Sequence, residues 1–219
     1  MPILSTLSKM TRVKICGITR IEDALAAASA GAHAVGFVFY AKSPRNVTIE
    51  AAIELCAALP PFITTVGLFV DADAKAVDTV LSAVPLDLLQ FHGEEPAAYC
   101  RQFGRPYLKA ARVRPGLDLV QYAATYESAK ALLLDAYVPD KAGGTGTTFD
   151  WRLIPRDLPL PIVLSGGLTP SNVSDAVKAI RPWAVDVSSG VEASPGIKDA
   201  TKISEFIKGV HYADVRSPG

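Results

Sequence analysis

The chain has 219 residues, of which 49% are hydrophobic and 20% are charged, so it can form one large core or two small domains. Lys and Arg balance Asp and Glu at 22 each, which leaves no global positive field for a nucleic acid or an anionic membrane surface. Three cysteines without a CxxC pair, and only three histidines, argue against a disulfide framework or a structural zinc site and favour a reducing cytoplasm.

The two ends of the chain differ from its centre. Residues 1–11 are predicted to form a loose leader, because Met1–Lys9 lack the charged start, the apolar stretch and the cleavage pattern of a signal peptide. Met10 is a candidate alternative start. Residues 12–210 are predicted to be one catalytic domain and 211–219 a tail, and no apolar run reaches the roughly 18 to 20 residues of a membrane span.

Short apolar, β-branched runs alternate with helical patterns in units of roughly 20 to 30 residues. The predicted strands are Val13–Cys16, Ala34–Phe39, Thr64–Val70, Leu88–Phe91, Tyr107–Ala111, Ala131–Asp135, Pro161–Ser165 and Ala184–Val187. The clearest helical patterns are residues 21–28, Glu50–Ala58, Ala74–Ala83, Ser171–Ile180 and Lys198–Lys208. Eight such units without a linker predict an α/β protein with a single (β/α)8 TIM barrel, because closure leaves no exposed edge strand.

Some connections carry local signals. Thr19 and Ser171 are predicted as helix N-caps, because acidic residues follow each of them. Asp71, after the third strand, is assigned to capping the next helix. The loop after the sixth strand is lengthened by Asp140–Gly146 and is predicted to be mobile.

The carboxyl ends of the strands are where such barrels build their active sites. Side chains alternate along a strand, so Lys14 and Cys16 share one face of the first strand, and Leu133 and Asp135 share one face of the sixth. These strands are three apart in an eight-strand ring. If both faces point inward, a small molecule between them meets a thiol on one side and a carboxyl group on the other.

Simpler roles stay open for these residues. A free cysteine is most often a small buried hydrophobe, and that is the role we assign to Cys56 and Cys100. Cys16 could have the same role. Asp135 could cap the following loop or helix, although a carboxylate at the end of an apolar strand is costly to desolvate.

Glycine-rich segments follow the last two strands, where many barrels bind phosphate. They contain Ser165-Gly166-Gly167 and Ser188-Ser189-Gly190. Glycine lets backbone amides approach an anion, and a helix N-terminus adds a favourable dipole, although either segment alone could be a tight turn. No nucleotide-binding fingerprint is present, so the pair predicts a phosphate carried by a small substrate.

Three further charged or titratable residues lie near strand ends. Arg45 follows Pro44, and its planar fork suits a carboxylate, although a solvated surface charge is an equally ordinary fate. His92 follows the fourth strand and could be a catalyst, a polar core residue or a donor to another site residue. Asp186 lies near the end of the eighth strand.

Taken together, these segments resemble the phosphoribosylanthranilate isomerase family over Met10–Val210. The motifs that carry the resemblance are Lys14–Thr19, Gly36–Phe39 with Ser43–Arg45, Leu89–Gly93, Leu134–Asp135, Gly143–Gly146 with Phe149–Trp151, Ser165–Leu168 and Val185–Glu192. The resemblance implies an Amadori rearrangement in tryptophan biosynthesis, from N-(5-phosphoribosyl)anthranilate to 1-(2-carboxyphenylamino)-1-deoxyribulose 5-phosphate. It implies neither a cofactor nor a metal.

The resemblance also implies roles for individual residues. Asp135 is the general acid that protonates the furanose ring oxygen, and Cys16 is the general base that removes the proton at C2. Substrate-binding residues are Arg45, for the anthranilate carboxylate, with His92 and Asp186; the phosphate is held by Gly166, Gly167, Ser188, Ser189 and Gly190. Apart from the resemblance, we expect inward-facing Lys14 to lower the pKa of the Cys16 thiol.

Three alternatives stay open. A metal-dependent ribulose-phosphate epimerase would need several His and carboxylate ligands at strand ends. A bifunctional isomerase that also serves histidine biosynthesis is expected to have an aspartate in place of Cys16. A non-catalytic barrel would bind a phosphorylated ligand without turnover. We predict a monomer, because no long apolar helix face marks a dimer, while a homodimer stays open.

Overall fold

A computed structural model of the chain describes residues 10–136 and 150–216. Its eight parallel strands close into a barrel in chain order, which confirms the predicted (β/α)8 fold. The strands are β1 (Arg12–Cys16), β2 (Ala34–Phe39), β3 (Thr64–Phe69), β4 (Leu88–Phe91), β5 (Tyr107–Val113), β6 (Ala131–Ala136), β7 (Ile162–Leu164) and β8 (Ala184–Val187). Residues 1–9 of the predicted leader and the predicted mobile loop at Asp140–Gly146 lie outside the described residues.

The helices lie between the strands and after the last of them. They are α1 (Ile21–Ala30), α2 (Ile49–Ala58), α3 (Ala74–Ala83), α4 (Ala97–Arg101), α5 (Leu119–Thr125), α6 (Val173–Ile180) and α7 (Ala200–Arg216). A small antiparallel hairpin, β9 (Glu192–Ser194) and β10 (Ile197–Lys198), follows β8. Within 10–136 and 150–216, no helix is long and apolar enough to cross a membrane.

The two faces of each strand pack into different cores, as the period-two alternation requires. Val13 and Ile15 belong to the large outer cluster, which also contains helix residues such as Ala24 and Ile203. The inner face of the barrel carries a second, smaller apolar cluster. Its buried residues are Leu108, Ala110, Ala131, Leu133, Val163 and Ala184. Polar side chains therefore collect on the inner face nearer the carboxyl ends of the strands.

Five strands differ from their predicted bounds, and the first of them, β1, begins one residue earlier, at Arg12. β3 ends at Phe69, one residue early, whereas β5 extends by two residues to Val113 and β6 by one to Ala136. β7 is shorter at both ends than predicted. Its first predicted residue, Pro161, has no N–H to donate to a neighbouring strand.

The prediction that Thr19 caps α1 is wrong. Arg20 occupies the N-cap position without a side-chain bond to the backbone, and its guanidinium pairs with Asp23 in the first turn at 2.6 Å. The Thr19 hydroxyl instead donates to the carbonyl oxygen of Gly196 at 2.5 Å. The loop after β1 is thereby tied to the hairpin after β8.

Two other capping predictions are also wrong. α6 begins at Val173 after Asn172, so Ser171 lies before the cap. α3 is capped by Asp73, whose carboxylate accepts from the Ala76 N–H at 2.7 Å. Asp71 instead accepts a hydrogen bond from the loop after β4 at 2.7 Å, which joins two neighbouring loops at the mouth of the barrel.

Candidate active site

Lys14 and Asp186 form a buried ion pair on the inner face of β1 and β8. The two residues are partners in the strand register, and Nζ lies 2.8 Å from Oδ1. Burial alone would lower the pKa of Lys14, but the Asp186 carboxylate and the nearby Cys16 thiol outweigh it and raise that pKa to about 12. The lysine is therefore a fixed positive charge beside the thiol.

Cys16 ends β1 on the same inner face and packs with Val38 and Leu68 of the next two strands. Burial raises the pKa of its thiol, Lys14 opposes that rise, and the Asp186 carboxylate adds to it. Lys14 thus acts in the direction expected from the sequence, but it does not outweigh burial. The resting side chain is a thiol at neutral pH.

Gly36 of β2 makes room for this cluster. A Cβ at Gly36 would lie 2.9 Å from the Cys16 sulfur and 3.0 Å from Lys14 Nζ. A side chain at this position would displace the Cys16 sulfur or the Lys14 ammonium group. Glycine therefore leaves the space that these two groups occupy.

The other two cysteines lie away from this cluster. Cys100 is buried in the outer core, as predicted, and Cys56 is half-buried against it. Burial raises the pKa of both thiols to about 11. Both fit the predicted role of small hydrophobes.

Asp135 lies on the inner face of β6, since Leu132 and Leu134 point outward into a cluster with α5 residues. Its Oδ1 accepts from the Ala136 N–H at 2.8 Å, and its Oδ2 lies 3.1 Å from Nε2 of His92. The carboxyl group is buried, with 4% of the residue exposed. It is held by two hydrogen bonds, one from the next residue of its own strand and one from His92, which follows β4.

His92, which directly follows β4, and Gln90 within β4 continue this connection. Nε2 of the Gln90 amide lies 3.0 Å from Nδ1 of His92, and both residues are buried. Arg112 of β5 donates from Nη2 to the backbone oxygen of His92 at 3.3 Å. His92 therefore bonds the proposed acid, Asp135, on one side of its ring and a buried amide on the other.

The Arg45 side chain extends across the mouth of the barrel to the hairpin after β8. Its Nε and Nη2 both donate to the Glu192 carboxylate, at 2.7 Å each. Lys198 Nζ lies 2.9 Å from the same carboxylate and 3.1 Å from the backbone oxygen of Ser188. Gly17 is required beneath this arginine, since a Cβ there would lie 2.5 Å from Arg45 Cδ and its φ is +74°.

The two glycine-rich loops meet. Gly166 has a φ of +83° and Gly167 one of +64°, and a Cβ at Gly166 would lie 2.9 Å from Asp135 Oδ1. A Cβ at Gly190 would overlap the backbone oxygen of Leu168. The loop after β7 thus lies against the Asp135 carboxyl group on one side and against the loop after β8 on the other.

The structure brings predicted residues together at one end of the barrel, where each contacts the next. In spatial order from β1 to the end of β4, these residues are Cys16, Lys14, Asp186, Ser165, Gly166, Asp135 and His92. Ser188, Ser189 and Gly190 follow β8 directly, and Ser189–Val191 form a 3₁₀ turn. Within 10–136 and 150–216, no group of three His, Cys, Asp or Glu side chains is placed to hold a metal ion.

Three buried polar residues of this region were not assigned a role from the sequence. Gln90 could have been found, because it is polar, lies in an apolar strand and shares a face with His92. Glu192 and Lys198 gave no such signal. Their roles depend on contact with Arg45, which is 147 positions from Glu192 in the chain.

Comparison with known proteins gives one consistent family. The sequence pattern of the N-(5'-phosphoribosyl)anthranilate (PRA) isomerase family matches residues 13–209. The N-(5'-phosphoribosyl)anthranilate isomerase of Thiobacillus denitrificans is 64% identical over 196 residues, which cover 90% of this chain and 96% of that protein.

Two solved structures are similar along most of the chain. One is phosphoribosyl anthranilate isomerase in complex with reduced 1-(o-carboxyphenylamino)-1-deoxyribulose 5-phosphate, with 45% identity and a TM-score of 0.83. The other shows monomers generated from the dimeric enzyme of Thermotoga maritima, with 44% identity and a TM-score of 0.82. Each comparison covers 93% of this chain and 100% of the other.

A closed barrel that gathers a thiol, a carboxyl group and two glycine-rich loops at the carboxyl ends of its strands has the architecture of a barrel enzyme for small molecules. The chain belongs to the N-(5'-phosphoribosyl)anthranilate isomerase family, as the motifs indicated. It is an isomerase of tryptophan biosynthesis.

Proposed function

We propose that the chain converts N-(5-phosphoribosyl)anthranilate into 1-(2-carboxyphenylamino)-1-deoxyribulose 5-phosphate, with Asp135 as general acid and Cys16 as general base. The observation that carries this proposal is the placement of the two groups. Both lie on the inner face at the carboxyl end of their strands, and β1 and β6 are three positions apart in the closed barrel. A substrate between them can be protonated on one side and deprotonated on the other.

Asp135 begins the reaction by giving its proton to the furanose ring oxygen. The C1–O bond then breaks, the anthranilate nitrogen supplies its electron pair, and the open chain is a protonated Schiff base. Asp135 is left as a carboxylate. The hydrogen bond from the Ala136 N–H to Oδ1 stabilises that charge, and Oδ2 stays oriented by His92.

Cys16 then removes the proton at C2, and the electron pair of the broken C–H bond moves into the C1–C2 bond to neutralise the iminium nitrogen. The product of this step is an enolamine, which tautomerises to the aminoketose. The buried thiol must become a thiolate to act as a base. The Lys14 ammonium group stabilises the thiolate, because it lies against the sulfur and stays charged.

The two ends of the substrate are held by other residues. Nε and Nη2 of Arg45 donate to Glu192, so Nη1 remains to bind the anthranilate carboxylate. The contact between Gly190 and Leu168 supports one phosphate site built from Gly166, Gly167, Ser188, Ser189 and Gly190. Asp186 faces the substrate amine or sugar, and His92 acts through Asp135.

Turnover is tested by the loss of anthranilate-type fluorescence when the purified chain meets phosphoribosylanthranilate. Cys16→Ala is the control, and Cys56→Ala is its matched cysteine variant outside the site. Fluorescence loss with wild type and Cys56→Ala, but not with Cys16→Ala, supports the proposal. Binding without turnover would identify a non-catalytic barrel, and loss of activity with a strong chelator would favour a metal-dependent enzyme.

We also propose that the enzyme acts in the cytoplasm as a monomer. The unpaired cysteines support the compartment. One feature favours a dimer instead: the Phe62 ring is 99% exposed, and exposed apolar surface can mark an interface. The sequence patterns did not reveal this residue, whose φ is +72°. Sedimentation of wild type and Phe62→Ser separates the two states, since a dimer held by this ring would dissociate in the variant.

A further inference from the structure

The Glu192 carboxylate is shared by two cations. Its oxygens accept from Nε and Nη2 of Arg45 at 2.7 Å each, and Oε1 also accepts from Lys198 Nζ at 2.9 Å. The Lys198 side chain is 0% exposed, that of Glu192 is 6% exposed and that of Arg45 is 12% exposed. Because these charges are largely removed from water, salt and solvent screen their interactions only weakly.

Contacts with distant parts of the chain hold Lys198 in this position. Its backbone N–H donates to Asp23 of α1 at 3.0 Å, and its Nζ donates to the backbone oxygen of Ser188 at 3.1 Å. Burial lowers the pKa of Lys198, and the Glu192 carboxylate opposes that decrease. The ion pair therefore favours the charged form of both residues.

The three side chains together carry one net positive charge. An arginine that binds one carboxylate through two parallel hydrogen bonds forms a pair without net charge. Arg45 and Glu192 alone would offer a substrate carboxylate the donor Nη1 but no net charge. Lys198 binds the same carboxylate, so the cluster keeps a charge opposite in sign to that of a ring carboxylate.

The neighbouring charged groups do not replace this contribution. Two of the neighbouring ion pairs contain one charge of each sign, namely Lys14 with Asp186 and Arg20 with Asp23. Lys202 donates to the backbone oxygen of Glu192 at 2.8 Å, but its side chain is partly exposed. Solvent therefore screens the charge of Lys202 more than that of Lys198.

We propose that Lys198 is a positioning residue that makes the Arg45 site selective for a substrate with a ring carboxylate, by balancing the charge of Glu192. This proposal rests on the proposed function, in which Arg45 binds the anthranilate carboxylate. Glu192 fixes the direction of the guanidinium group. Lys198 prevents that bond from cancelling the attraction of the arginine for an anion.

The test uses two probes that differ only in the ring carboxylate. One is reduced 1-(2-carboxyphenylamino)-1-deoxyribulose 5-phosphate, and the other is the same molecule with an unsubstituted phenylamino group. Both carry the phosphate, so a change in the fold or in the phosphate site weakens both. The ratio of their dissociation constants, measured by titration calorimetry, therefore reports the carboxylate site alone.

Lys198→Met should lower the preference for the carboxylate probe about tenfold, because the cluster loses one buried charge. Adding Glu192→Gln restores one net positive charge, so the double variant should recover part of the preference. Lys208→Met, which removes an exposed lysine of α7, should match wild type. A wild-type preference in Lys198→Met, or a double variant no better than Lys198→Met, overturns the proposal.

A second variant separates the charge of Lys198 from its support of the Ser188 loop. Lys198→Gln removes the charge and keeps an N–H group that can donate to the Ser188 oxygen, so it should lose the same preference. Its KM should rise more than its kcat falls. Because Lys198 also lowers the pKa of Cys16, a loss confined to kcat would assign it to the thiol and overturn the proposal.

The two proposals fail separately in the same titrations. A wild-type chain that binds neither probe contradicts the proposed function. A preference that is lost in Arg45→Met but kept in Lys198→Met and Lys198→Gln removes only the role of Lys198.

Discussion

The ammonium group of Lys14 lies 2.8 Å from the carboxylate of Asp186, and both are buried beside the thiol of Cys16. The pair joins β1 to β8, and its two members have opposite effects on the pKa of the Cys16 thiol. Lys14 lowers the pKa of Cys16 and Asp186 raises it, while burial raises it most. The strength of the base therefore depends on how these three effects balance.

Removing the lysine charge should raise the pKa of the Cys16 thiol further. The replacement is Lys14→Met, which keeps the length of the chain but leaves no cation beside the sulfur. The pKa is measured from the ultraviolet absorbance of the thiolate, with Cys16→Ala as the blank. Lys14→Arg, which keeps the charge, serves as the control. An equal pKa in the Met variant and wild type would show that Lys14 does not lower the pKa of the thiol.

The pH dependence of stability should contain a contribution from Glu192. Burial raises the pKa of this carboxyl group, but hydrogen bonds and charge from Arg45 and Lys198 outweigh it, so the pKa lies below the ordinary value of 4.5. A lowered pKa in the folded state stabilises the protein above the ordinary pKa, and this stabilisation is lost as the pH falls through the folded pKa. Glu192→Gln should flatten the acid side of the urea-stability profile.

Glu54→Gln is the matched control for that experiment, because Glu54 is exposed on α2. Its profile should follow that of wild type. A Glu192→Gln profile that keeps the full acid-side slope would show that Glu192 is not stabilised as a carboxylate by Arg45 and Lys198.

The fully buried Lys109 should be essential for stability. Its Nζ donates to the Gly93 backbone oxygen at 2.6 Å and to Glu95 at 2.7 Å, and Glu95 in turn accepts from the Asp71 and Gly93 N–H groups. Lys109→Met leaves a buried carboxylate without its partner, so the free energy of unfolding should fall by about 3–5 kcal/mol. Urea unfolding measures this loss.

Adding Glu95→Gln to Lys109→Met should recover part of that stability, because the unpaired charge is removed. Exposed Lys130→Met is the control for the loss of a lysine charge alone. A Lys109→Met chain as stable as wild type would contradict the importance of the buried pair.

The contact between the two glycine-rich loops should be needed for phosphate binding. Gly190→Ala places a methyl group where the Leu168 backbone oxygen lies, so the loops after β7 and β8 must separate. We expect KM for the substrate to rise about tenfold or more, with a smaller change in kcat. Steady-state kinetics checks this.

Gly116→Ala is the comparison for glycine loss outside the site, because a Cβ there meets nothing within 4 Å. Because Gly116 has a φ of +87°, Gly116→Ala should lower the stability of the fold, but the variant leaves the site intact. If Gly190→Ala bound substrate as tightly as Gly116→Ala, the two loops would not form one phosphate site.

Periodicity along the chain was sufficient to predict the barrel and the faces of its strands. Alternation along the strands predicted that Lys14 shares a face with Cys16 and Leu133 with Asp135, and the closed barrel places both faces inward. The boundaries were less predictable. Pro161 and the backbone turn at Asp71, with a φ of +48°, shortened strands that composition would extend.

Contacts between distant parts of the chain could not be predicted. Thr19 was expected to cap a helix, but Gly196, 177 positions away, offers its carbonyl oxygen instead. The bond between Arg45 and Glu192 has the same character. Local propensity cannot anticipate a competing partner that only the closed barrel brings near.

The most direct test of the central claim is the turnover rate of Asp135→Asn, followed by substrate fluorescence. Asn keeps the shape of the side chain and cannot donate the acidic proton, so kcat should fall at least about 100-fold. Binding of reduced 1-(2-carboxyphenylamino)-1-deoxyribulose 5-phosphate should be nearly unchanged. A variant that turns over substrate at the wild-type rate would contradict Asp135 as the general acid.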